Sequence, residues 1–374
     1  MTAYLDHAAT TPMHPEAVEA MLPFLLHRFG NPSGSHAVAR EARKALEEAR
    51  DVVAQCLGAR PGEVVFTAGG TEADNLAITG RHALRPGTVV SSAVEHHAVL
   101  HTCAALGGRV APVLASGVVD LDALAALLDP RVTVVSVMLA NNEVGTIQPL
   151  AEVVELVRDR APGAVVHTDA VQAFSWLDVA YDAASADLVA VSAHKFGGPK
   201  GVGALVVRDG VKLAPILHGG GQERDRRSGT HNVAGIVGMA SAMQVTVAER
   251  ATTVERVGAL RDRLVDGLLA TVPDSTETGD RATKVAGNGH VSFAGIESEA
   301  LLVLLDSAGV CASAGSACTS GAMQASHVLV AMGIDKERAL GSLRLSLGST
   351  TTDTDVDLAL AAVPEAVARL RQRD

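Results

Sequence analysis

The sequence predicts an α/β protein built on an open, mostly parallel sheet, and three observations carry that expectation. Short β-branched runs at 63–67, 88–92, 132–139, 164–168, 188–191 and 203–207 alternate with longer amphipathic stretches, the pattern of successive strand–helix units. The run 132–139 is almost continuously apolar, as in a strand buried on both faces of a parallel sheet. Several runs then finish in glycine or polar residues before the next helix. Gly70-Thr71, His96, Asn142, Asp169 with Gln172, and Ser192 with His194-Lys195 all fall at such ends. Ligands of open α/β sheets bind beyond the carboxyl ends of the strands, so these residues are expected to share one crevice.

Composition narrows the classes. A chain of 374 residues, 48% apolar, can bury one large core and a smaller second one. A formal net charge of −11 argues against a general nucleic-acid-binding surface. Residues 1–6 lack the basic and apolar regions of a signal peptide, and no apolar run reaches the length of a membrane span. The expectation is a cytoplasmic protein with no membrane partner and no direct nucleic-acid partner. The four cysteines, Cys56, Cys103, Cys311 and Cys318, form no CxxC pair, so neither a metal site nor a disulfide framework is expected.

The elements follow in order. Asp6 to Pro12, and Gly30-Asn31-Pro32-Ser33-Gly34-Ser35, are turn-rich stretches around a helical pattern at 15–27, read equally well as loops or as the mouth of a pocket. Ser35 is expected to cap a helix running to about Leu57. The strand at 63–67 runs into Ala68-Gly69-Gly70-Thr71 and a helix to about Ala83. A glycine turn feeding a helix start makes a phosphate cradle, or a plain strand–helix turn. His96 opens another helix, where an imidazole can stack on a planar ring or move protons; neighbouring His97 is expected at the surface. Asn142 follows the apolar run, a helix spans about 149–160, and Asp169 and Gln172 follow the strand after it.

Ser192-Ala193-His194-Lys195 then opens a glycine loop. A lysine at a buried strand end loses basicity, and a neutral amine is what a Schiff base requires. A Schiff-base lysine beside a carboxylate and a phosphate cradle suits pyridoxal phosphate. The glycine and arginine loop 218–230 reads as an anion contact or as solvated loop. A helical pattern spans 233–270, with Gly258 a possible interruption; 271–288 is irregular; strands are expected near 290–293 and 342–347, and helices at 298–307 and from Asp353. Cys318 sits among small residues, which suits an exposed, used thiol, whereas Cys56, Cys103 and Cys311 lie in core-like contexts. Arg344 lies within a strand pattern, as a surface charge or a bidentate carboxylate holder.

Taken together, YLDHAATTP, GNPSGSH, FTAGGTEADNLAI, EHHAVL, ANNEVGTIQP, HTDAVQ, SAHKFGGPKGVGAL, HGGGQERDRRSGT, GSACTSG and GSLRLSLG resemble the cysteine desulfurases, fold type I pyridoxal phosphate enzymes of the class V aminotransferase group, in the branch with a long cysteine loop. The resemblance implies a seven-stranded, mostly parallel sheet in a large domain over 15–255, and a smaller α+β domain formed by 1–14 and 256–374. It implies that Lys195 forms the Schiff base with pyridoxal 5'-phosphate, that Asp169 pairs with the pyridine nitrogen, and that His96 stacks on the ring and assists proton transfer. Gly70, Thr71, Ser192 and His194 would hold the phosphate, with Thr230 reaching across a homodimer. Gln172 and Asn142 would contact the cofactor, Asn31, Asn142 and Arg344 the substrate, and Cys318 would take sulfur from L-cysteine as a persulfide.

The acceptor would be an iron–sulfur scaffold or a thiolation enzyme for tRNA or DNA. Some relatives extend past the position of Asp374 and dock a scaffold there, which leaves the acceptor open. His97 stands where many relatives carry lysine. The alternatives are a selenocysteine lyase or small-molecule aminotransferase of the same fold, or a sulfur carrier without catalysis; intact Lys195, Asp169 and His96 argue against the last.

Overall fold

The computed structural model describes residues 2–314 and 325–372. Its strands in chain order are β1 (Ala3–Tyr4), β2 (Val64–Thr67), β3 (Thr88–Ser92), β4 (Arg109–Ala111), β5 (Val132–Ser136), β6 (Val165–Asp169), β7 (Leu188–Ser192), β8 (Gly203–Val207), β9 (Ser275–Glu277), β10 (Asn288–Phe293), β11 (Val310–Cys311) and β12 (Ser342–Ser346). Seven of them form one sheet in the order β2-β8-β7-β6-β5-β3-β4, as expected for the α/β class. β3 through β7 pair in parallel, and β8 runs antiparallel to both of its neighbours.

Side-chain alternation explains why helices cover both faces. Val64, Phe66, Val135, Val166, Val189 and Val206 point into one core with Leu46 and Val53 of the helix Ala37–Cys56 and Met239 and Met243 of the helix Val233–Thr271. Val65, Val134, Val165, Leu188, Ala190 and Leu205 point the other way, onto Ala73, Leu76 and Ala77 of the helix Gly70–Leu84. Another core gathers Val291, Leu343 and Leu345 of the antiparallel sheet β12-β10-β9 with Val356 and Val363 of the helix Asp353–Arg371.

The N-terminal segment belongs to that last core. Ala3 and Leu5 are fully buried in it, β1 pairs with β11, and His7 N–H donates to the Ser346 carbonyl at 3.1 Å. The helix Val233–Thr271 joins the cores, burying Ile236 to Met243 in the first and Val257 to Leu268 in the other. It runs unbroken through Gly258, where an added Cβ would meet only Ala286 Cβ at 3.7 Å; the expected interruption is not there.

Other local expectations also change. His36, not Ser35, caps the helix that follows, its Nδ1 accepting from Ala39 N–H at 3.3 Å. β5 stops at Ser136 although apolar residues continue to Leu139. There the Glu95 carboxylate takes the Met138 N–H at 2.7 Å, and Leu139 N–H turns to the Asp169 carbonyl at 2.9 Å. His97 is half-buried, its ring centroid 4.9 Å from His101 and 4.7 Å from His327. Cys103 is buried, while Cys56 and Cys311 are only half-buried. Among the described residues, no helix is long and apolar enough to cross a membrane.

Candidate active site

The first part of the site is a turn made of backbone. β2 ends at Thr67, whose Oγ1 donates to the Gly69 carbonyl at 2.9 Å. Gly69 has φ +151°, and the helix Gly70–Leu84 begins at the next residue. Its first N–H groups have no carbonyl to bond within the helix, and its dipole places partial positive charge there. The turn is tightly enclosed. A Cβ on Gly70 would lie 2.8 Å from Val171 Cγ2, and one on Gly203 would lie 2.6 Å from the Val191 carbonyl oxygen and 2.8 Å from Gly69 C. Glu72 holds the turn from outside, accepting from Ala68 N–H and pairing with Arg227, each at 2.8 Å.

β7 delivers the amine. It ends at Ser192, and a single 3-10 turn, Ala193–Lys195, carries the lysine back over the sheet. Lys195 Nζ donates to the carbonyls of Ala8 at 2.5 Å and Ala9 at 2.8 Å. Burial, and then the Arg344 charge, lower its pKa to about 8, against the opposing pull of Asp169 and Asp6. The amine therefore reaches its neutral, nucleophilic form at a lower pH than an exposed lysine does.

Asp169 closes β6 and is buried; its Oδ1 accepts from Val171 N–H at 2.8 Å. Burial raises its pKa. Asp74, also buried on the helix opposite, is held well above the carboxylate range by burial and by the Asp169 and Glu95 charges. A cationic ring nitrogen beside Asp169 would supply the charge that this carboxylate lacks.

His96 is the cap of the helix His97–Ala105, with Nδ1 accepting from Ala98 N–H at 3.1 Å. That bond leaves Nε2 to carry the proton of the neutral ring. The protein around it, then the Lys195 charge, lower its pKa to about 4, so the ring is neutral at pH 7. Gln172 Nε2 donates to the Ala8 carbonyl at 2.7 Å, and His194 Nδ1 lies 3.2 Å from Thr10 Oγ1. Buried Arg344 donates from Nη1 to the Asn142 carbonyl at 3.1 Å and from Nη2 to Asp6 Oδ1 at 2.8 Å.

A cavity of about 420 Å³ brings together Gly70, Thr71, His96, Asn142, Asp169, Gln172, Ser192, His194, Lys195 and Arg344. It also takes in Ala8, Ala9, Asp74, Met138, Val171 and Ser313, which sequence reasoning did not assign. Alanines and a valine carry no chemical signal, and Ala8 and Ala9 act through backbone carbonyls that any residue has. The tight glycine turn, the buried carboxylate and the weakly basic amine fit the phosphate, ring nitrogen and aldehyde of pyridoxal 5'-phosphate. Asn31 and Thr230 are exposed and do not line this cavity. Cys318 lies outside the described residues.

Comparison with known proteins agrees with this picture. A family model described as aminotransferase class-V matches residues 3–359. An IscS-like cysteine desulfurase of Mycobacterium tuberculosis is 50% identical, over 99% of this chain and 97% of its own length. The solved structure of a NifS-like protein superposes with a TM-score of 0.92 at 37% identity, over 99% of this chain and 100% of that one. A structure of SspA in complex with cysteine superposes with a TM-score of 0.82 at 31% identity, over 94% of this chain and 100% of that one.

Proposed function

The chain belongs to the aminotransferase class-V family and is a cysteine desulfurase dependent on pyridoxal 5'-phosphate, and we propose that Lys195, His96 and Cys318 carry its reaction. The observation that carries this assignment is the convergence of a weakly basic Lys195, buried Asp169 and neutral His96 on one cavity that Arg344 also lines.

Pyridoxal 5'-phosphate, when bound, supplies an electron sink for charge developing at the substrate α carbon. Gly70, Thr71, Ser192 and His194 would hold its phosphate, Asp169 would pair with its ring nitrogen, and His96, Asn142 and Gln172 would contact it. Arg344 receives the carboxylate of L-cysteine in a charge-assisted pair. Lys195 removes the α proton, and His96, protonated on Nε2, steadies the proton transfers. The Cys318 thiolate attacks Sγ of the substrate. The new S–S bond forms as the Cβ–Sγ bond breaks and its electron pair passes to the carbon skeleton, and one proton delivered to Cβ and one returned to Cα complete L-alanine. The persulfide then leaves for an acceptor protein of iron–sulfur assembly or nucleic-acid thiolation.

The two domains are 15–255 and 1–14 with 256–374, a division supported by the separate cores joined through the helix Val233–Thr271. The working unit is a homodimer in which Thr230 reaches the phosphate of the partner site. Val18, Leu22, Leu25 and Leu26 on the helix Pro15–Leu26, together with Phe29, support this, since they expose 41–78% of their surface in one apolar stripe. Free thiols at Cys56, Cys103 and Cys311 support a reducing, cytoplasmic setting.

Cys318→Ala tests the nucleophile. The variant is expected to keep the visible cofactor band while losing persulfide and alanine; alanine production at the parent rate would refute the assignment.

A further inference from the structure

The chain on either side of residues 315–324 is fastened to two neighbours of the substrate pocket. Before that stretch, Ser313 and Arg344 exchange backbone hydrogen bonds, at 2.7 Å from Arg344 N–H and 3.2 Å from Ser313 N–H. After it, the Ser326 hydroxyl donates to Glu143 Oε2 at 2.5 Å, and Ser326 Oγ accepts from Val328 N–H at 3.1 Å and Leu329 N–H at 3.3 Å. Ser326 is 3% exposed and Glu143 is 3% exposed. Both lone pairs and the proton of this hydroxyl are therefore used away from water.

Glu143 is itself rigidly placed. Asn141 Oδ1 accepts from Glu143 N–H at 2.8 Å and Val144 N–H at 2.9 Å, while Asn141 Nδ2 donates to the Val94 carbonyl at 2.8 Å. The Glu143 carbonyl accepts from Asn288 Nδ2 at 2.9 Å. Val144 packs with Val328, Leu329 and Met332 in a small buried cluster of its own. His327 Nε2 reaches the Glu95 carbonyl at 3.0 Å, immediately before His96. The point where the chain returns after the cysteine-bearing stretch is thus tied to the turn of Asn142 and to the helix start at His96. Burying a carboxylate costs free energy unless it is hydrogen-bonded, and the Ser326 hydroxyl supplies that bond to Glu143.

We propose that the Glu143–Ser326 pair is a positioning device for sulfur transfer, fixing the base of the Cys318 segment relative to Asn142 and Arg344 so that the thiolate meets the substrate sulfur. Neither side chain touches the reacting atoms. The pair contributes to the S–S bond-forming step and not to proton removal at the α carbon. The proposal rests on Cys318 as nucleophile.

The test separates these steps in the holoenzyme. Exchange of the α proton of L-alanine with deuterated solvent needs the cofactor pocket but no thiol. Persulfide on the protein, read by mass after a rapid quench with L-cysteine, needs the thiol. Ser326→Ala is expected to slow persulfide formation 10- to 100-fold, the scale of a misplacement of about 1 Å, with alanine exchange within about 2-fold of the parent. Ser326→Thr, which keeps the hydroxyl, is expected to recover most of the loss. Glu143→Gln repeats the test from the other partner, and the cofactor band reports folding. Persulfide formation at the parent rate in both Ser326→Ala and Glu143→Gln overturns the proposal. So does an equal fall in alanine exchange, which would make the pair a support of the whole pocket. A Cys318→Ala control that still forms persulfide would fail the nucleophile assignment instead, and is distinguishable.

Discussion

Arg344 Nη2 lies 2.8 Å from Asp6 Oδ1, so the guanidinium that faces the cavity is already paired with the N-terminal segment. Its Nη1 is spent on the Asn142 carbonyl at 3.1 Å. Two partners on two sides hold the planar group in one orientation, and a planar fork presented in advance loses little freedom on meeting a carboxylate.

Asp6→Asn should accordingly raise KM for L-cysteine about 3- to 10-fold with a smaller change in kcat, because a charge-assisted bond of about 1.5–3 kcal/mol that orients Arg344 is weakened. Arg344→Lys should cost more, since an ammonium cannot make the bidentate pair. Steady-state kinetics decides. A lower KM in Asp6→Asn would mean that Asp6 competes with the substrate carboxylate instead of aiming its receiver.

Capture of the cofactor by the apo-protein should quicken as pH rises through about 8, where Lys195 sheds its proton. The sign follows from the depressed value. Below it the amine is an ammonium held by the Ala8 and Ala9 carbonyls, and above it a free lone pair can attack the aldehyde. Stopped-flow absorbance on apo-protein across pH 6–10 checks this (a window chosen at roughly two units either side, from the titration of a single group). A midpoint near the ordinary lysine value of 10.5 would contradict the burial argument.

Glu223→Ala should destabilise the protein by about 3–5 kcal/mol, the usual result of orphaning a buried partner. Arg50 grips Glu223 with two bonds of 2.8 and 2.7 Å, and His231 and Phe66 N–H add bonds at 2.6 and 3.1 Å. Burial opposes ionisation of Glu223, but the His231 and Arg50 bonds win and lower its pKa from 4.5 to about 2. Its stabilisation is complete above 4.5 and fades as pH falls toward 2, so the gap between parent and variant in denaturant melts should narrow over that window. A gap independent of pH would assign the effect to packing alone.

Gly203→Ala should loosen the cofactor as well as the fold. Its Cβ would meet two stretches of main chain, the Val191 carbonyl and Gly69, neither of which can rotate away. Overpacking of this kind costs about 1–3 kcal/mol. Here it would part β8 from β7 and from the glycine turn together. A lowered melting temperature with faster cofactor release is expected; a lower melting temperature with unchanged release would separate the turn from cofactor retention.

How much was legible in the chain differs by element. The sheet strands at 88–92 and 203–207 and the helix starting at Asp353 lie where the pattern puts them, because alternation and capping are local signals. The end of β5 was not legible. A carboxylate from another segment, Glu95, takes over the Met138 N–H, and apolar sequence cannot announce that. Gly258 reads as a break in isolation but sits in a helix held on both sides of it by two cores.

By itself the sequence determined the chemistry on offer: a lysine, carboxylates, histidines and a glycine turn at strand ends, where a parallel sheet gathers its ligands. Only the tertiary structure decided how those groups are tuned. It set the carbonyls of Ala8 and Ala9 against Lys195 from 186 residues and more away, joined Asp6 to Arg344 across 338, and placed Ser326 on Glu143 across 183. The basicity and orientation of these groups come from burial and long-range partners, and neither is written in local sequence.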